Sequence, residues 1–120
     1  MGTKDDYRIS VLRPADDLVV VQASGEIDVR GSVTFRERLF AVLDEQPALM
    51  VVDLSDADYV DTYALSVLVD VALRCRLEER RLAIACSEGR MRRALAATGL
   101  DQFVATHATL DEALGQDAAS

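Results

Sequence analysis

The residues best suited to chemistry gather in one stretch, where Asp53, Asp56, Asp58 and Asp61 recur every two or three positions and Thr62 follows directly. Carboxylates so spaced at the end of an apolar run could hold Mg²⁺, which takes oxygen ligands. A catalyst needs more than acids, however. The chain has no GxxxxGK[ST] loop, no GxSxG elbow and no GxGxxG turn, and its single histidine, His107, falls in what reads as a late loop without a partner. A Mg-dependent enzyme using Asp53, Asp56, Asp58 and Asp61 therefore stands as an alternative. The expectation is a protein that is not an enzyme and needs neither cofactor nor metal. Cys75 and Cys86 lack CxxC spacing and a neighbouring His, and both fall on apolar periodic segments, so they read as buried free thiols.

Asp61 and Thr62 have a second reading. An Asp that precedes a helix can accept hydrogen bonds from the unpaired N–H groups of the first turn, and a hydroxyl at the first helical position then projects from the helix end. That placement serves a simple cap, or a hydroxyl accessible to a kinase. Asp28, at the exit of an earlier strand, can likewise be a cap or turn residue, or border the same docking face.

Charge narrows the partners. With 21 acidic residues against 13 Lys and Arg the net charge is -8, so the field of the molecule repels phosphate backbones and anionic lipid. Nucleic acid is not expected as a partner. Arg74, Arg76, Arg80, Arg81, Arg90, Arg92 and Arg93 crowd into one stretch, as a docking patch or as a solvated rim with Glu78, Glu79 and Glu88 interleaved. No apolar run approaches the ~20 residues that span a bilayer, and the first six residues carry no secretory h-region, so no membrane insertion and a cytoplasmic location are expected.

Hydropathy periods give the elements that must position these residues. Tyr7, Ile9 and Val11 alternate with Arg8 and Ser10, and the β-branched run Leu18 to Val21 follows after a short turn, which predicts an opening hairpin. From Ser32 the period becomes helical through Phe35, Leu39, Val42 and Leu43 until Pro47. Leu49 to Leu54, interrupted by Asp53, reads as a central strand buried on both faces. A helical period resumes at once, with Leu65, Leu68, Val69, Ala72, Leu73 and Leu77 on the apolar face. Leu82 to Cys86 is another buried strand, and Ser87 can cap a third helix whose Arg90, Arg92 and Arg93 face water and which Gly99 closes. Phe103 and Val104 supply a last strand. Thr109 with Glu112 has capping-box spacing and opens a terminal helix through Leu114. The sum is one α/β domain over residues 7–115, a mixed β-sheet with helices packed mainly on one face in the order ββαβαβαβα, with disordered tails at 1–6 and 116–120.

Four segments in this order resemble a known family. Gly25-Glu26-Ile27-Asp28, Val51-Val52-Asp53-Leu54-Ser55, Val60-Asp61-Thr62 and Thr98-Gly99-Leu100-Asp101 are similar to the STAS domain (sulfate transporter and anti-sigma factor antagonist), and most of all to anti-sigma-factor antagonists. Phosphorylatable members carry Asp-Ser-Ser-Gly or Asp-Ser-Thr-Gly at the start of the second helix. Here the stretch is Asp61-Thr62-Tyr63-Ala64: the Asp and the acceptor hydroxyl are kept, and Tyr63 and Ala64 depart. The resemblance implies that Thr62 is phosphorylated and that Asp28, Asp61, Thr62 and Tyr63 meet a partner. That partner is an anti-sigma factor of GHKL kinase type, whose effect on Thr62 a cognate phosphatase reverses. It also admits a non-catalytic STAS subunit of an ABC-type lipid transporter, where an Asp-Thr pair opens the same helix and the partner is a transporter ATPase.

Overall fold

The computed structural model describes residues 7–119. Strands β1 (Tyr7–Ala15) and β2 (Leu18–Ile27) form the opening hairpin and lead into α1 (Val29–Asp44). Then follow β3 (Leu49–Val60), α2 (Thr62–Leu77), β4 (Arg81–Ala85), α3 (Arg90–Ala97), a single 3₁₀ turn (Leu100–Gln102), β5 (Ala105–His107) and α4 (Leu110–Ala119). The strands lie side by side in chain order, β1 antiparallel to β2 and the rest parallel. The expected α/β order and mixed sheet are present.

Alternation along the central strands divides the core. Val19, Val21, Met50, Val52 and Ile84 point into the main core under the first three helices, where they meet Phe35, Leu39, Leu43, Leu68 and Leu95. Their neighbours Val20, Leu49, Val51, Ala83 and Ala85 point to the opposite face and pack on Ala113 of α4. Two covered faces explain why these strands read as continuous apolar runs. The helices do lie mainly on one face, with α4 alone behind. Thr109 Oγ1 accepts from Glu112 N–H at 3.1 Å, and the Glu112 carboxylate accepts from Ala108 N–H at 3.1 Å, so the expected cap opens α4.

Several boundaries differ from the sequence reading. Helix α1 starts at Val29 rather than Ser32, because Asp28 already caps it. Strand β3 does not stop at Leu54 but runs to Val60, since β2 is long enough to keep pairing with it, up to Ile27 opposite Val60. Ser87 does not cap α3: Gly89 precedes that helix with no side-chain cap. The last strand is Ala105–His107, and Phe103 stands out in solvent at 68% exposure. His107 is thus a strand residue, 9% exposed, not a loop residue. The backbone of α4 continues past Leu114 to Ala119, while residues 1–6 and Ser120 lie outside the described residues.

The second helix shows the largest shift. Its buried face is Ala64, Val67, Leu68, Val71, Ala72 and Cys75, whereas Leu73 and Leu77 are exposed. The expected stripe was rotated toward solvent because three leucines outweighed smaller Val, Ala and Cys residues in the count. Among the described residues, no helix is long and apolar enough to cross a membrane.

Candidate functional site

Ile27 and Val60 are partners in the β2–β3 ladder, so the next residue of each strand, Asp28 and Asp61, leaves the sheet at the same level. Asp61 N–H donates to Ile27 C=O at 3.0 Å and ties the two exits together. Each Asp then caps a helix. Asp28 Oδ1 accepts from Arg30 N–H at 3.0 Å, and Asp61 Oδ1 accepts from Ala64 N–H at 2.8 Å. Two helix N-termini therefore open side by side at the C-terminal end of β2 and β3, and both candidate acids cap them.

Thr62 is the first residue of α2 and is exposed, with its hydroxyl unbonded among the described residues. Tyr63 beside it is 46% exposed, and Ala64 is buried. The departures from the family pattern fall in two environments: Ala64, at the fourth position, is packed in the main core, and Tyr63, at the third, faces outward. Val29, Val33 and Tyr59 also expose large apolar side chains at the start of α1 and the end of β3. Sequence reasoning missed these three.

Arg30 holds the Asp28 carboxyl below its ordinary range, chiefly through a side-chain hydrogen bond at 3.2 Å and then through the backbone cap. Asp28 is thus a firm anion at the mouth of α1. Burial pushes both thiols, Cys75 and Cys86, above their usual value, which makes them poor nucleophiles.

The four carboxylates weighed as a metal site do not converge. Asp53 is buried in the sheet, accepting from the Gln22 side-chain amide at 2.9 Å and from Ser55 N–H at 3.0 Å. Asp61 is committed to its cap, and Asp56 and Asp58 stand exposed on the outer half of β3. Among the described residues, no three His, Cys, Asp or Glu side chains are grouped to hold a metal ion.

Nor is the arginine cluster one patch. Arg74 bridges Asp44 at 2.9 Å and Glu78 at 3.0 Å. Arg92, expected in solvent, is half-buried and donates to the Cys86 carbonyl at 2.6 Å. Arg80 donates to the carbonyls of Gln46 at 2.6 Å and Pro47 at 3.2 Å, so it fastens the end of α2 to the loop before β3.

Comparison with known proteins agrees with this geometry. The family model for the STAS domain matches residues 10–113. A Mycobacterium tuberculosis protein named as a candidate anti-anti-sigma factor is 29% identical over 116 residues, covering 92% of this chain and 78% of that protein. The crystal structure of an anti-sigma factor antagonist from Mycobacterium paratuberculosis superposes with a TM-score of 0.79 at 26% identity, covering 97% of each chain. The Bacillus cell fate determinant SpoIIAA in its phosphorylated form shares the fold, with a TM-score of 0.73 at 14% identity over 91% of this chain and 98% of that one. With the ordered strand-and-helix frame, the paired Asp caps and the matched span of residues all in agreement, the chain belongs to the STAS domain family.

Proposed function

We propose that this protein is a cytoplasmic anti-sigma-factor antagonist that docks an anti-sigma factor of GHKL kinase type on the shared mouth of α1 and α2. The single observation that carries the reading is Thr62, exposed at the first position of α2 directly after the Asp61 cap, with Val29, Tyr59 and Tyr63 also exposed at the adjoining starts of α1 and α2 and the end of β3. Exposed aromatic side chains are enriched where proteins dock. The likeness to named antagonists supports the same reading.

Thr62 is the switch in this proposal. The γ-phosphoryl group of ATP passes to Thr62 Oγ1 while a kinase base takes the hydroxyl proton and ADP leaves. The product carries about -1.5 to -2 charges at the α2 N-terminus. The helix end favours that charge, but Asp61, Asp28 and nearby Asp58 do not, and a partner matched to the neutral hydroxyl meets uncompensated repulsion. Binding falls, and a phosphatase restores it.

The test recovers the kinase by co-purification from the native host, incubates it with this chain and ATP, and maps the phosphate by mass spectrometry. Phosphate on Thr62 is expected, with Thr62→Ala binding as wild type and Thr62→Glu binding more weakly. No phosphate together with undiminished binding of Thr62→Glu refutes the switch. Recovery of a transporter nucleotide-binding subunit with membrane components, and no kinase, refutes the sigma-regulatory role.

A further inference from the structure

A second exposed surface lies at the other end of α2, roughly 20 Å from Thr62 at 1.5 Å of rise per residue. Leu73 and Leu77 are one turn apart and exposed there, and Phe103 projects beside them from the end of the 3₁₀ turn. Between α2 and that turn runs an apolar groove of about 150 Å³, walled by Val69, Leu73, Leu100 and Phe103. A volume of that order holds a benzene-sized group. It shares Ala72, Arg76 and Phe103 with a wider cleft of about 570 Å³ whose charged lining residues are Arg76, Arg80 and Arg81.

The charge of this place runs against that of the molecule. The chain carries -8 overall, yet among the described residues no carboxylate lines either cleft. Arg80 is fixed by the Gln46 and Pro47 carbonyls, and its Nε lies 3.4 Å from Glu78 Oε1 without forming a hydrogen bond. Arg76 has no ion-pair partner among the described residues; its guanidinium rests over the Phe103 ring, 5.3 Å from the centroid. Such stacking holds a guanidinium in place and leaves its planar N–H fork available to a carboxylate. A helix C-terminus alone would also attract cations, but that role is already filled by Arg74.

We infer that this groove is a second docking site, one that takes a segment of another protein carrying a large apolar side chain flanked by carboxylates. The apolar side chain enters between Leu73 and Phe103, and a flanking carboxylate meets the Arg76 guanidinium. A second copy of the chain is the poorer fit, because two molecules at -8 repel one another before contact, whereas a short segment brings only its own few charges. The site goes beyond the proposed switch face and leaves that face free.

The experiment titrates the isotope-labelled full chain with a synthetic peptide, Glu-Glu-Leu-Phe-Asp-Glu, and follows backbone amide shifts by NMR. Two control peptides replace its acids by Lys or its apolar pair by Ser. Shifts centred on Leu73, Arg76, Leu77 and Phe103 with the acidic-apolar peptide alone support the site. Arg76→Glu should then weaken binding roughly tenfold at low salt, with a smaller effect at high salt, and Leu73→Ser should weaken it at every salt concentration. Both side chains are exposed, so a dispersed spectrum verifies the fold of each variant. The inference is overturned by any of four results: no shift up to a few millimolar peptide, equal binding of the Lys peptide, shifts centred on Val29 and Tyr63, or the same amides moving with the concentration of the chain alone, which would mark a self-association face.

Discussion

Truncating Leu68 measures whether α2 is set at the rotation described above. Leu68 is 0% exposed in the main core, while Leu77, on the same helix and of the same chemistry, is 85% exposed. Removing the buried side chain to Ala loses the transfer free energy of its methyl and methylene groups and leaves a cavity that the sheet below can only partly fill. In comparable cores this costs about 2 to 5 kcal/mol. Leu77→Ala removes atoms already in water and should change stability by less than about 0.5 kcal/mol, offset further by the better helix propensity of Ala. Urea denaturation of both variants separates them, with the slope unchanged and only the midpoint of Leu68→Ala moving down. Equal losses in the two variants would mean that Leu77 is buried too and that the α2 face inferred from leucine spacing was right after all.

Glu79 and Gln46, just past the ends of α2 and α1, hold left-handed backbone conformations that favour Gly, with φ of 56° and 58°. Glu79→Gly should therefore stabilise the protein by roughly 0.5 to 1 kcal/mol, seen as a higher urea midpoint; a lower one refutes the strain argument. The Asp28 carboxyl is depressed in the folded protein, so its contribution to stability is present above the unfolded value near 3.8 and is lost as pH falls through the lower folded value. An NMR titration should place its midpoint below 3.8, and Arg30→Ala should raise it toward that value. Both cysteines are buried, so a thiol reagent should label Cys75 and Cys86 only as fast as the protein opens, with labelling becoming immediate in denaturant. Immediate labelling of the native protein would contradict their burial.

What the sequence disclosed and what it concealed divide along physical lines. Three of the four expected caps were legible because a side-chain acceptor and its backbone donor lie two or three residues apart: Asp28, Asp61 and Thr109 occupy their expected stations, while Ser87 does not. Core strands were legible because both of their faces are covered. The outer half of β3 was not, since Asp56 and Asp58 break the apolar run and only the partner strand β2 keeps them extended. Arg92 was concealed for a similar reason: its carbonyl acceptor belongs to Cys86, which tertiary packing rather than local pattern places within reach. Gly31 is a third case. A Cβ there would stand 3.1 Å from the Tyr7 ring, a closeness between α1 and β1 that no local spacing records. As for the proposed docking face, the sequence marked Asp28, Asp61 and Thr62. Its apolar rim of Val29, Val33 and Tyr59 became visible only once two strand ends were aligned.

The chain-order arrangement of the strands bears on how the protein can be made. Each strand is hydrogen-bonded to the strand before it, so a polypeptide emerging from the ribosome can lay every new strand on an edge already present, with nothing to thread and no gap to reserve. One surface escapes this economy. The back of the sheet, where Val20, Leu49, Val51, Ala83 and Ala85 lie, is sealed by α4, which follows all five strands in the chain. Until Ala113 arrives, a nascent molecule with a nearly finished sheet carries an open greasy patch. Synthesis stalled before Leu110 should therefore yield a sticky product that chaperones recognise.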